Sequence, residues 1–209
     1  MIDSFSILNE ARRPFVDPDA LKQKFLALSS DAHPDRVHSG SAEEKERATA
    51  RYSDLNAAYN TLREPRERLL HLLELEAGAR PKDVQRIPPG TMDLFVQVGQ
   101  LCRDVDAFLA HRSKVESPLA KVQVFQEGME WTDKLQALQQ RVNEVRNELA
   151  RELEQMNAIW QAAPSVGSAE RPAALPLERL EQVYRVFSYI ARWSEQIQER
   201  TLQLAAGAF

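Results

Sequence analysis

Apolar residues return at steps of three and four along nearly the whole chain, and a period of that length is the mark of helices. Leu21, Phe25, Leu28 and Ala32 share one face of a helix from about Asp19 to Ala32. Ala48, Tyr52, Leu55, Tyr59 and Leu62 repeat the alternation further on. Only 7 glycines occur in 209 residues, so few positions release the backbone from helical geometry, and no run shows the period of a strand. The expected class is all-α.

Prolines, glycines and capping residues set the boundaries. Asp17-Pro18 opens the first long helix, because proline at the first helical position lacks an N–H that would go unpaired there anyway. Ser41 or Ser39 ahead of Glu43-Glu44 supplies capping chemistry for the second. Between them runs His33-Pro34-Asp35-Arg36-Val37-His38-Ser39-Gly40, whose proline disfavours helical geometry at His33 and whose Gly40 permits a turn. The segment therefore reads as the loop of an antiparallel helical hairpin with facing apolar stripes. Pro65 starts another helix, and its Leu69, Leu70, Leu72, Leu73 and Leu75 are dense enough to close the hairpin's base. Phe5, Ile7 and Leu8 pack a short opening helix or turn before the break at Arg12-Arg13-Pro14.

These elements make a first domain of residues 1–78. Residues 79–90 are marked by Pro81, Pro88, Pro89 and Gly90 and lack periodicity, which reads as a linker. Residues 91–209 then carry three helical patterns. The first includes Met92, Phe95, Val98, Leu101, Val105, Phe108 and Leu109, and Ser117-Pro118 interrupts it. The second keeps heptad-like spacing through Leu135, Leu138, Val142, Val145, Leu149, Met156 and Trp160, with Glu152 breaking the seam once. After a loop of small residues, Leu177, Leu180, Val183, Phe187, Ile190, Trp193 and Ile197 form the closing helix. An elongated three-helix bundle is the economical packing. The long middle helix also leaves a homodimeric coiled coil open beside the monomer.

Charge and composition exclude several classes. A net charge of -4 and a pI near 5.7 remove the electrostatic drive toward nucleic acid or an anionic membrane surface, so a protein partner is expected. The single cysteine, Cys102, forms no disulfide or cysteine-rich zinc site within one chain. With no signal-like or membrane-spanning stretch, the expected location is the cytoplasm. There is no nucleophile elbow and no glycine-rich phosphate loop, so no catalytic residue can be named and no cofactor is expected. His33, Asp35 and His38 have the right chemistry for a divalent ion, but a proline-broken loop is a poor frame for one, and we assign no metal.

The motif that stands out is His33-Pro34-Asp35-Arg36, preceded by Phe5-Ser6-Ile7-Leu8. It is followed by Leu55-Asn56-Ala57-Ala58-Tyr59-Asn60-Thr61-Leu62-Arg63 and Pro65-Arg66-Glu67-Arg68-Leu69-Leu70-His71-Leu72-Leu73. With these segments the first 76 or so residues resemble a J-domain, and more narrowly that of the HscB co-chaperone family, whose setting is iron–sulfur cluster assembly. The plainer reading, that His33-Pro34 ends a helix and Asp35 caps a turn, accounts for the tripeptide but not for its flanks.

The resemblance implies a co-chaperone that binds a DnaK-type ATPase and stimulates ATP hydrolysis without being an enzyme itself. By the same resemblance Asp35 pairs with an arginine of the ATPase, His33 and Pro34 fix the loop, and Arg36, Lys22 and Lys24 meet an acidic surface. The chain departs from that pattern in two places. From Leu21 to Arg36 three positive residues (Lys22, Lys24, Arg36) face two negative ones (Asp31, Asp35), and Ala32 stands where an aromatic residue commonly precedes the loop. Weaker docking, a specialised partner, or a J-like adaptor without ATPase stimulation would follow. The resemblance further implies that the second domain holds an iron–sulfur scaffold protein, and Leu94, Phe95, Val96 and Leu101 are the candidate client contacts. Their segment, Met92 to Leu101, has fewer acids than the family's apolar-acidic helix.

Overall fold

The computed structural model describes residues 2–33, 41–81, 87–88 and 90–206. Among them it contains eight helices and no strand, the expected all-α class. The helices are α1 (Ser4–Ile7), α2 (Pro18–Asp31), α3 (Ala42–Arg63), α4 (Pro65–Ala77), α5 (Met92–Arg112), α6 (Pro118–Ala162), α7 (Arg171–Ala174) and α8 (Leu177–Ala206).

Each early helix begins on the chemistry that its sequence supplies. Asp3 accepts the N–H groups of Phe5 and Ser6 through Oδ1 and so caps α1. Asp17 accepts the Ala20 N–H at the start of α2. At the front of α3, Ser41 Oγ accepts the Glu44 N–H while the Glu44 carboxylate accepts the Ser41 N–H, which satisfies two donors that the helix itself leaves unpaired. Proline opens α4, and Gly78 ends it at φ 71°, a left-handed conformation that glycine enters without steric cost. Of the two serines expected to cap α3, Ser41 does so; Ser39 lies outside the described residues.

The chain divides into two compact units, residues 1–83 with 150–184 and residues 84–149 with 185–209. The expected boundary at 79–90 gave all of 91–209 to one domain, whereas residues 150–184, the last part of α6 through the start of α8, belong to the first unit. The cause lies in side chains that a helical period does not reveal. Asn157 accepts the Phe15 N–H at 3.0 Å and donates to the Phe15 carbonyl at 2.9 Å. Arg171 forms a buried ion pair with Glu76 of α4. Leu153, fully buried one position beyond the seam break at Glu152, is a core residue that the heptad reading missed.

In the first unit, α2 and α3 pack as the expected hairpin, with Leu21, Leu55, Ala58 and Leu62 buried. The Phe25 ring stacks on Tyr59 at 4.3 Å, and this pair sets the register between the two helices. Arg68 ties the base together by donating from Nε to the Pro14 carbonyl at 2.9 Å and from Nη1 to the Leu62 carbonyl at 2.6 Å. Burial pushes its guanidinium down to about 10 against the opposing pull of Glu64, so it stays charged at neutral pH. In the second unit, one core draws Val98 and Val105 from α5, Leu135 and Val142 from α6, and Ile190 and Trp193 from α8. Arg112 donates to the carbonyls of Leu204 and Gln203, which closes the last turn of α8.

His71 makes the opening of the first unit sensitive to pH. Its Nε2 accepts the Ser4 N–H at 3.0 Å, and Phe5 stacks on its ring. Only the neutral imidazole can accept that bond. Burial lowers its pKa from 6.5, outweighing the attraction of Asp3 and Glu74, with Arg12 acting in the same direction as burial. A base whose folded pKa is depressed lends stability that is full above its ordinary value and is lost as pH falls through the folded value. The urea midpoint is therefore expected to drop between pH 7 and pH 5, and His71→Gln to flatten that slope. An unchanged slope in the variant would assign the pH effect elsewhere. Asp3 acts in a different range. Burial raises its pKa, but the hydrogen-bonded Arg12 guanidinium and the Ser6 N–H outweigh it and hold it below 3.8, so its effect falls at lower pH.

Candidate functional site

The hairpin positions the residues that the sequence singles out. His33 follows α2 by two residues, half-buried, and its imidazole meets the Tyr52 ring of α3 nearly edge-on, with centroids 5.3 Å apart and planes at 78°. Ala32, where an aromatic residue was expected by resemblance, is buried, and its N–H closes on the Leu28 carbonyl. Pro34, Asp35, Arg36 and His38 lie outside the described residues. The arrangement presents a polar residue at the end of a braced two-helix hairpin, which leaves little ordering entropy to be lost when another protein binds there.

The two lysines assigned to the same surface differ. Lys22 is exposed on α2. Lys24 instead turns back to the opening segment, where Nζ donates to the Glu10 carboxylate and to the Asn9 carbonyl at 3.1 Å. Glu10 is the more buried of that pair and also receives Arg13 at 2.8 Å. Lys24 thus satisfies a buried carboxylate of its own chain, a role that helical spacing could not indicate because the partner comes from a turn ahead of the helix.

The client candidates on α5 also separate. Leu94 belongs to the core of the second unit, and Leu101 is packed against that core. Phe95 and Val96 are 40% and 55% exposed, and Met92, one turn earlier on the same face, is 53% exposed. Tyr189 of α8 meets Phe95 edge-on at 6.4 Å, extending this apolar face by a residue that the sequence reading missed. Leu94 is buried because it repeats with Val98, Cys102 and Val105 at the helical period, whereas Phe95 and Val96 lie to one side of that row.

Among the described residues no group of three or more His, Cys, Asp and Glu side chains could hold a metal ion, and no helix is long and apolar enough to cross a membrane.

No family model matches the chain. Among curated proteins it is 32% identical over 130 residues to the co-chaperone protein HscB homolog of Bordetella pertussis, an alignment that covers 58% of this chain and 74% of that protein. It is 39% identical over 59 residues to the HscB homolog of Neisseria meningitidis serogroup B, covering 28% of this chain and 36% of that one. Among solved structures, human co-chaperone protein HscB superposes with a TM-score of 0.59 at 18% identity, covering 97% of this chain and 82% of that one, which shows a shared fold. A hairpin that ends on a histidine of the expected motif, carried on a fold of this kind and on identity of this extent, makes the chain a member of the HscB co-chaperone family.

Proposed function

We propose that the chain docks on a DnaK-type chaperone ATPase through His33, Pro34, Asp35 and Arg36, with Lys22 beside them, and biases that partner toward ATP hydrolysis in the assembly of iron–sulfur proteins. The observation that carries the reading is the braced end of the hairpin, where His33 rests on Tyr52 at the point where α2 stops. Such a co-chaperone needs no catalytic residue, because the nucleotide and its chemistry belong to the partner. It has only to bind the activated arrangement more tightly than the resting one. Residues 1–78 carry this activity, and the unit of residues 84–149 with 185–209 carries the client. A reducing cytoplasm suits a chain whose one cysteine is buried.

Steady-state ATP turnover by the host's DnaK-type proteins, with and without this chain, tests the reading. Stimulation by one of them is expected. Turnover unchanged across all of them would leave the adaptor reading, which the engagement of Lys24 by Glu10 favours, since it withdraws one of the three positive charges counted around the loop.

For the client we propose an iron–sulfur scaffold protein, held on the exposed face of Met92, Phe95 and Val96 and flanked by Tyr189. A central apolar contact is worth about 1–3 kcal/mol when truncated to a polar residue. Phe95→Ser with Val96→Ser is therefore expected to weaken capture of the cognate scaffold at least tenfold while leaving ATPase stimulation intact. Equal capture by parent and variant would move the client site elsewhere. Light scattering of the free chain and of the complex distinguishes the monomer from the homodimer.

A further inference from the structure

We propose that Tyr52 is a positioning residue whose ring fixes the orientation of the His33 imidazole, the first residue of the docking motif. The inference rests on the docking reading given above and adds to it a residue on the opposite helix.

Phe25 and Tyr59 stack face to face at 4.3 Å and 14°, which pins α2 against α3. From that pair the chain runs from Phe25 to His33 on one side and from Tyr59 back to Tyr52 on the other, eight and seven residues respectively. In helical geometry both steps travel about 10–12 Å toward the loop. The antiparallel hairpin therefore delivers His33 and Tyr52 to the same level, and the structure finds them there at 5.3 Å and 78°.

An edge-on contact sets an aromatic ring's angle as well as its position, because the electropositive edge of one ring is attracted to the electron-rich face of the other. Both rings are half-buried, so each keeps a solvent-facing side. That arrangement suits a histidine that is held from behind and offered in front. The backbone beneath Tyr52 is held as well, since Asn56 Nδ2 donates to the Tyr52 carbonyl at 2.7 Å. Leu55 and Ala58, on the core face, are buried and carry the core packing of this part of α3.

The test uses the full chain carrying Tyr52→Leu, Tyr52→Phe or Leu69→Val, titrated into ATP turnover of the DnaK-type chaperone that the parent stimulates. An aromatic pair of this kind corresponds to about a two- to tenfold change in an equilibrium. Tyr52→Leu should raise the half-saturating concentration by that factor at unchanged maximal turnover, and Tyr52→Phe, which keeps the ring, should titrate like the parent. The His33 ring protons, assigned with His33→Gln, should move in the magnetic resonance spectrum of Tyr52→Leu and stay in place in Tyr52→Phe. Leu69→Val trims a buried side chain of α4, which follows the end of α3 opposite the loop, and should lower thermal stability without moving the half-saturating concentration.

Tyr52→Leu titrating like the parent would overturn the inference alone, as would Leu69→Val weakening docking just as much. A parent that stimulates no partner defeats the docking reading and this inference with it.

Discussion

Replacing Arg171 by alanine is expected to destabilise the first unit by about 3–5 kcal/mol, the range for breaking a buried ion pair by removing one partner. Arg171 Nε and Nη2 reach the two carboxylate oxygens of Glu76 at 2.8 and 2.9 Å, and Nη1 donates to the Pro164 carbonyl at 2.7 Å. The side chains are 7% and 2% exposed, so water replaces little of what the substitution removes. The planar guanidinium matches the carboxylate at two points, a geometry that lysine cannot reproduce. Arg171→Lys is therefore expected to recover part of the loss but not all of it.

The cost arises from a carboxylate left charged and dry, so removing the carboxylate as well should return stability. The double variant Arg171→Met with Glu76→Leu is expected to unfold closer to the parent than Arg171→Ala does, since an apolar pair of similar volume carries no desolvation penalty. Urea unfolding followed by circular dichroism measures all three. A loss below about 1 kcal/mol for Arg171→Ala would place the pair among surface contacts. The pair also holds the two stretches of the first unit together. A fragment ending at residue 83 keeps Glu76 but lacks Arg171 and Asn157, so it should unfold at lower urea than the full chain.

Local chemistry was readable from the sequence and long-range pairing was not. Ser41, Pro65 and Gly78 announce helix ends because capping and backbone permissiveness act within a few residues. The facing stripes of α2 and α3 follow from one period and one short loop. In contrast, Glu76 and Arg171 stand 95 positions apart, and nothing in either helical pattern links them. The heptad seam of α6 runs on through residue 149 without marking where one compact unit gives way to the other. Lys24 reads as a surface cation until a turn ahead of its helix brings Glu10 to it. For the candidate site, His33 was legible from its motif and Tyr52 only as one member of an apolar stripe. Leu94 and Phe95 are sequence neighbours, yet a rotation of about 100° between consecutive helical residues sends one into the core and the other to the surface.

The largest effect on activity is expected from Asp35→Asn, which should abolish stimulation of the partner ATPase at concentrations where the parent saturates. Asparagine keeps the size and planarity of the side chain and removes its charge, so the arginine proposed to meet it on the partner loses a charge-assisted pair. Truncating one side of such a pair at an interface costs about 2–5 kcal/mol, equivalent to about thirtyfold to several thousandfold in affinity. The sequence places Asp35 in a polar, proline-broken segment between two apolar stripes, and a substitution outside core, caps and buried pairs shifts stability by no more than about 0.5 kcal/mol, so helical content and the unfolding midpoint should match the parent. That combination, activity lost and fold retained, separates recognition at the motif from a merely structural proline turn. In the structural case the variant would stimulate as the parent does, because an amide at Asp35 can still accept a backbone N–H and cap the turn.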